Sequence, residues 1–263
     1  MLKELELCME LVDPRDTVDL RNSIVSTEPY PAPSKLKIIT YTITVNIGTP
    51  IDIIQFAERF PLKKNRTLGV KVKRKDGTVL KRCVEGYVMT DKLFQNQATL
   101  VVCTKDCKKI NTKVFLNGGL QMTGCREMED AIYCAEFIVK TLQMKKYMRV
   151  LAEPANLRIV NYTICMINSK FSCNFSFDRQ KLAVLLRTRY SQFITQVMFD
   201  ERSYQGVNIK HLTASREKAT ILAFRNGKIL ITGVKSERAL AESYEFINNV
   251  LREHHLDLFS GRT

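Results

Sequence analysis

Seven basic side chains, Lys63, Lys64, Arg66, Lys71, Lys73, Arg74 and Lys75, crowd residues 61–75 with no acid between them. Such a cluster attaches to polyanions; a solvated loop explains it equally well on its own. The whole chain, 263 residues, carries 41 Lys and Arg against 27 Asp and Glu, a net charge of +14. Residues 1–34 run the other way, with seven acidic side chains against three basic ones, a net of −4 that leaves +18 on the rest. Residue types that do covalent or hydrolytic chemistry are poorly arranged. There is no GxxxxGK loop, GxSxG elbow or HExxH helix, and the three histidines are His211, His254 and His255. The eight cysteines, Cys8, Cys83, Cys103, Cys107, Cys125, Cys134, Cys165 and Cys173, show no CxxC spacing. They read as reduced, mostly buried thiols rather than disulfides, and Cys103 and Cys107 have no histidine near them to complete a zinc site. No apolar run approaches the roughly 18–20 residues that cross a bilayer, and Glu4, Glu6 and Glu10 interrupt the N-terminal segment, so neither a membrane span nor a secretory signal is expected.

What positions these groups is an internal repeat. Residues 38–43 (IITYTI) match 159–164 (IVNYTI), and Val114-Phe115-Leu116-Asn117-Gly118 with Met122-Thr123-Gly124 matches Ala223-Phe224-Arg225-Asn226-Gly227 with Ile231-Thr232-Gly233. Asn-Gly between apolar runs predicts a hairpin in each copy, because both residues tolerate the positive φ of a tight turn. Each hairpin leads into an apolar stripe at helical spacing: Met128, Ala131, Ile132, Ala135, Ile138, Val139 and Leu142 in one, Leu240, Tyr244, Ile247 and Leu251 in the other, the latter capped by Ser236. Shorter amphipathic helices are predicted over 51–60 and about 178–190. In the first opening strand Ile39, Tyr41, Ile43, Val45 and Ile47 form a packing face, and Thr40, Thr42, Thr44 and Asn46 a polar, uncharged one. Strand, helix, several antiparallel strands and a long helix, twice over, make an α+β layout with helices on one face of an antiparallel sheet.

Three segments carry a family resemblance: Val45-Asn46-Ile47-Gly48, the run of residues 224–237 (FRNGKILITGVKSE), and the weaker copy over 115–124. With them the chain, over about 36–255, resembles the saddle-shaped core of the TATA-box-binding protein family. The resemblance implies a pseudo-twofold saddle of two repeats: a curved antiparallel sheet of about ten strands, its concave face on DNA and its helices on the convex face. The divisions would be an acidic arm and Pro-containing linker (1–34), a first repeat (35–150) and a second repeat with tail (151–263). Spacing places an insertion of about 27 residues within 76–105, where Asp76-Gly77 reads as a further hairpin turn and Leu100 to Cys103 as a strand. The second repeat carries about 15 extra residues before its wedge.

The same resemblance implies a general transcription initiation factor that binds the minor groove of A·T-rich promoter DNA and kinks it with side-chain wedges. Wedge positions fall on Leu68, Phe115, Tyr204 and Phe224. Base-contacting positions fall on Thr40, Thr42, Gln121, Thr123, Asn161, Thr163, Leu230 and Thr232, and phosphate contacts on Arg74, Arg126, Lys210, Lys228 and Lys235. Several of these depart from the family pattern, notably Leu68, Tyr204, Thr40, Thr42, Thr163 and Gln121, which implies a relaxed or shifted base preference. Partners implied are double-stranded promoter DNA, a IIB-type initiation factor near Asp200 and Glu201, and RNA polymerase machinery; no cofactor, metal, membrane or small-molecule substrate is implied. The location would be nuclear, or a viral factory or virion for a viral member. The acidic arm would compete with DNA for the basic face. Two rivals stand beside this reading. Saddle domains also accompany DNA glycosylases and a class of ribonuclease H, but with an added catalytic domain for which about 45 residues outside the saddle leave no room; and a saddle can serve as a nonspecific DNA or protein surface that does not kink DNA.

Overall fold

The computed structural model describes residues 30–90 and 94–261. Residues 1–29 of the acidic arm expected over 1–34, and with them the competition expected of its acidic side chains, lie outside the described residues.

The first repeat runs β1 (Lys37–Asn46), α1 (Ile53–Arg59), β2 (Thr67–Lys73), β3 (Val79–Cys83), β4 (Gln97–Cys103), β5 (Lys109–Phe115), β6 (Gly119–Cys125) and α2 (Met128–Leu142). The second runs β7 (Tyr162–Ser172), β8 (Ser176–Phe177), α3 (Arg179–Arg189), β9 (Ile194–Asp200), β10 (Tyr204–Leu212), β11 (Lys218–Phe224), β12 (Lys228–Val234) and α4 (Glu237–Glu253), followed by α5 (His255–Leu258) and β13 (Phe259–Gly261). Eleven strands form one sheet in the order β3-β2-β4-β5-β6-β1-β7-β12-β11-β10-β9; β8 and β13 pair separately. Every neighbouring pair in the large sheet is antiparallel. About ten strands were expected. The eleventh is β3, the second arm of the Asp76-Gly77 hairpin, added outside β2.

Local chemistry sets the element boundaries. Asp52 accepts from Ile54 N and Gln55 N, both at 3.0 Å, to start α1, and Asp178 does the same for α3 with Gln180 N (2.8 Å) and Lys181 N (3.0 Å). Ser236 accepts from Ala239 N at 3.1 Å, the cap expected for α4. At the two Asn-Gly turns Gly118 and Gly227 have φ of 80° and 75°. A Cβ there would lie 2.2 Å from Thr49 O and 2.4 Å from Phe175 O, so the turns need glycine both for conformation and for close approach.

One face of the sheet carries the helices. Ile43 and Val45 of β1 with Ile47 just after it, Val70 and Val72 of β2, Leu100 and Val102 of β4, and Leu120 and Met122 of β6 pack with Phe56 of α1 and with Ala131, Ala135, Ile138 and Leu142 of α2. In the second repeat α3 lies against β9 and β10, and α4 against β11 and β12. Alternation then sends the intervening residues of each strand to the helix-free face.

Candidate nucleic-acid interface

The centre of the helix-free face is the β1–β7 ladder. Its register pairs Thr40 with Asn168, Tyr41 with Ile167 and Thr42 with Met166. The hairpins give an independent alignment: Thr123 of β6 lies beside Thr42, and Thr232 of β12 beside Asn168. Thr42 and Asn168 are therefore equivalent, Tyr41 matches Ile167, and the pseudo-twofold axis passes between those two. The same interval relates Gly48 to Asn174, with φ of 80° and 62°, and the capping residues Asp52 and Asp178.

This corrects the expected pairing of Thr40 with Asn161. Asn161 precedes β7; its neighbour Val160 donates from N to Asn46 O at 2.9 Å, at the far end of the ladder from Thr40. The motif of residues 159–164 packs Ile159, Tyr162 and Ile164 against the first repeat's core. The central asparagine is Asn168, which sequence reasoning missed. It donates from Nδ2 to Thr40 Oγ1 at 3.0 Å, and its Oδ1 accepts from Thr232 Oγ1. Thr42 is beside Thr123, and Thr44 sits between Gln121 and Thr163, so these expected base-contacting positions do come together. Thr44 Oγ1 also lies 3.2 Å from Cys165 Sγ. The cross-strand row is hydroxyl-, amide- and thiol-rich and free of charge, suited to donating to acceptor atoms of bases.

Outward along the second repeat the face becomes apolar. Leu222 and Leu230 are cross-strand partners. Beyond them, Phe224 and Tyr204 pack edge-on with ring centroids 6.0 Å apart at 61°. Gly206 makes this possible: a Cβ there would come within 3.0 Å of both rings. Tyr204 is 44% exposed, and with Met198 (41%) it presents an open apolar ridge. Lysines border it. Lys210 donates from Nζ to Thr220 Oγ1 at 2.9 Å, and Lys170, Lys218 and Lys228 are exposed. Arg126 and Lys235 are exposed at the matching ends of β6 and β12, beyond the Thr-Gly motifs.

The first repeat differs. Gln97 pairs with Phe115 as Gly206 pairs with Phe224, so β4 corresponds to β10 and the counterpart of Tyr204 is Gln95, an exposed residue in the connection between β3 and β4. Leu68, expected there, lies in β2 and is buried with Met89, Val101 and Cys103. Arg74, expected to match Lys210, sits at the β2–β3 turn and its Nη2 is 2.9 Å from Glu58 Oε1. Spacing from the wrong strand caused both errors: β3 and its connection lie between β2 and β4, so counting forward from Leu68 never reaches the equivalent strand. Two further members of the basic run around Arg74 are engaged within the protein. Arg66 lies 5.1 Å from the Phe137 ring centroid of α2, and Lys71 is buried. On the turn between β9 and β10, Glu201 pairs with Arg179, whose guanidinium lies 5.1 Å from the Phe199 ring centroid, while Asp200 is exposed and accepts from Arg202 N at 3.0 Å.

Burial holds the thiols on the helix side in their neutral form: Cys125 is pushed up to about 12, Cys173 to about 11, and Cys134 is raised further. Among the described residues no group of three or more His, Cys, Asp or Glu is placed to hold a metal.

Comparison with known proteins agrees with this geometry. The family described as "Transcription factor TFIID (or TATA-binding protein, TBP)" matches residues 161–254, the repeat whose face is open and whose motifs are intact. A TATA-box-binding protein-like protein of Acanthamoeba polyphaga mimivirus is 29% identical, with 89% of this chain and 70% of that protein covered. The TATA-box-binding protein of Pyrodictium occultum is 25% identical over 66% of this chain and 77% of its own length. Among solved structures the Methanococcus jannaschii protein of the family superposes with a TM-score of 0.56 at 18% identity, covering 84% of this chain and 99% of its own, which establishes the fold. With its second repeat matched directly, its fold shared and its first repeat expanded, the chain is similar to TATA-box-binding proteins and has their fold.

Proposed function

We propose that the chain binds the minor groove of A·T-rich promoter DNA with its helix-free face and bends it by intercalation, seeding assembly of the initiation machinery. The observation that carries this reading is the Tyr204–Phe224 pair, two aromatic rings held edge-on at an open end of a sheet whose flanks carry lysines. Minor-groove architectural proteins, TATA-box-binding proteins among them, insert such apolar wedges at about a few kcal/mol per unstacked step, offset by the surface that the bent duplex wraps. The uncharged centre, Thr40, Thr123, Thr163, Asn168, Thr232 and Gln121, offers donors to adenine N3 and thymine O2, which A·T and T·A pairs both expose, while Thr42 beside Thr123 is buried. Lys210, Lys228, Lys235 and Arg126 supply the salt-dependent attachment to phosphate. The exposed side of the β9–β10 turn, at Asp200, is the place for a IIB-type factor, Glu201 being engaged by Arg179.

One observation favours a second reading. Leu68 is buried and Gln95 takes the fourth wedge position, so a nonspecific surface that does not kink DNA is the competing function. Gel shift and bend angle on a TATA-type duplex and a G·C-rich control, at two salt concentrations, separate the two. Specific bending predicts a preference of tenfold or more for the TATA-type duplex, lost in Phe224→Ala; equal affinity for both duplexes selects the nonspecific surface.

A further inference from the structure

The two ends of the helix-free face are not equally available. On β4 the residues on that side are Gln97, Thr99, Val101 and Cys103, and their relative exposures are 6, 7, 5 and 5%. Their counterparts on β10 include Leu212 at 40%, opposite Cys103 in the repeat alignment. A sheet edge facing solvent does not bury its side chains this way; something covers them. The cover is the connection that follows β3. Cys83, Val84 and Tyr87 pack on Leu68, Met89, Val101 and Cys103, and Met89 itself is 5% exposed. Gly69 makes room for it, since a Cβ there would meet Met89 Sδ at 2.8 Å. Lys71, on the same side of β2, is drawn under the cover and donates from Nζ to Thr90 O at 2.5 Å.

The cover also engages the basic groups of this end. Lys109 Nζ lies 5.4 Å from the Tyr87 ring centroid and Lys113 Nζ 5.2 Å from that of Phe94. Both lysines are on the helix-free side of β5, where they would otherwise face phosphate. Gln97 Nε2, on the same side of β4, is buried without a hydrogen-bond partner. Apolar contacts thus fill the space that a duplex would need at the first repeat. Phe115 has no aromatic partner at this end, because Gln95 stands where Tyr204 stands in the second repeat.

We propose that this chain grips DNA one-endedly: an A·T-rich duplex lies on β7, β12, β11 and β10 and the central strands, kinked only by Tyr204 and Phe224, while residues 83–90 keep the outer first-repeat strands out of the interface. The occupant is duplex DNA because the open end combines an apolar ridge with Lys170, Lys210, Lys218 and Lys228 around it. This rests on the minor-groove reading above and goes beyond it in assigning polarity and extent to the complex.

The test is hydroxyl-radical footprinting of the full chain on a duplex with a TATA-type centre, with the base-step fluorescence of 2-aminopurine reporting unstacking. The expected footprint is short and carries one unstacked step. Tyr204→Ala and Phe224→Ala should each lower affinity at least tenfold and abolish the fluorescence signal, whereas Phe115→Ala should change affinity less than twofold. Met89→Glu should loosen the cover, lengthen the footprint and make Phe115→Ala costly; Tyr87→Ala, which removes a partly buried ring, serves as the milder variant if Met89→Glu fails to fold. A wild-type footprint with two unstacked steps, equally sensitive to Phe115→Ala and Phe224→Ala, would overturn the one-ended complex and leave the function standing. Duplex bound only after the cover is loosened would also overturn it. Absence of binding by every variant would remove the DNA-binding reading along with it.

Discussion

Asn168 and Thr40 face each other across the two repeats, Asn168 Nδ2 donating to Thr40 Oγ1 at 3.0 Å. The Oδ1 of the same amide accepts from Thr232, so a single side chain ties β1, β7 and β12 together on the face proposed for DNA.

That placement makes Asn168 the residue to change. Asn168→Ala should leave Thr40 and Thr232 without their partner and lower discrimination between A·T and G·C at the central base pairs by about 1–3 kcal/mol, with a small loss of overall affinity. Asn161→Ala should leave both unchanged. Competition gel shifts with centrally substituted duplexes check the pair; equal effects of the two substitutions would restore Asn161 to the centre.

For phosphate attachment the structure separates Lys210 and Lys228, beside the open apolar ridge, from Arg74, which pairs with Glu58. Lys210→Ala and Lys228→Ala should each weaken TATA-type and G·C-rich duplexes alike and reduce the slope of log K against log salt by about 0.9. Arg74→Ala removes an exposed pair with Glu58 and should leave DNA affinity and slope within error. A salt titration across the three variants is the measurement.

Leu68 and Tyr204 should part company in stability. Leu68→Ala empties a site enclosed by Met89, Val101 and Cys103 and should cost about 2–5 kcal/mol in denaturant unfolding. Tyr204→Ala removes an exposed ring and should cost less than about 1 kcal/mol, while its loss shows in DNA binding. The reverse ranking would return the wedge role to Leu68.

His211 carries a pH dependence. It lies flat against Phe246, centroids 4.3 Å apart, with Nδ1 3.1 Å from Ser243 Oγ, and burial pulls it down to about 4 against the opposing pull of the Glu242 charge. A histidine whose folded pKa is depressed resists protonation only when folded. Its contribution is therefore intact above the unfolded value near 6.5 and is lost as pH falls through about 4, up to about 3 kcal/mol in all. His211→Phe should flatten stability between pH 6.5 and 4 in urea unfolding; an unchanged profile would show that another group governs it.

Much of the scaffold is written in local sequence. The Asn117-Gly118 and Asn226-Gly227 turns, the stripes of α2 and α4, the Ser236 cap and the Asp76-Gly77 hairpin all depend on neighbours within a few residues, and all are found where the pattern placed them. Phe115, Phe224, Gln121, Thr123, Leu230 and Thr232 share the helix-free face, because a hairpin with a defined turn fixes which residues share a face.

What depended on register did not follow. Strand alternation has period two, so the pattern of residues 159–164 fits the opening strand of the first repeat as well as the true equivalent does, and only the pairing of Tyr41 with Ile167 selects Asn168 over Asn161. Gly48 with Asn174, and Asp52 with Asp178, were the signals that would have set the interval, since a left-handed residue and a helix cap cannot slide along a strand. The composition and turns of this chain determined two repeats of one basic, helix-backed sheet. Only the tertiary structure decided that residues 83–90 fold back over Leu68 and Lys71, because that choice lies in contacts between segments distant in sequence, where apolar burial against the sheet competes with the surface a duplex would use.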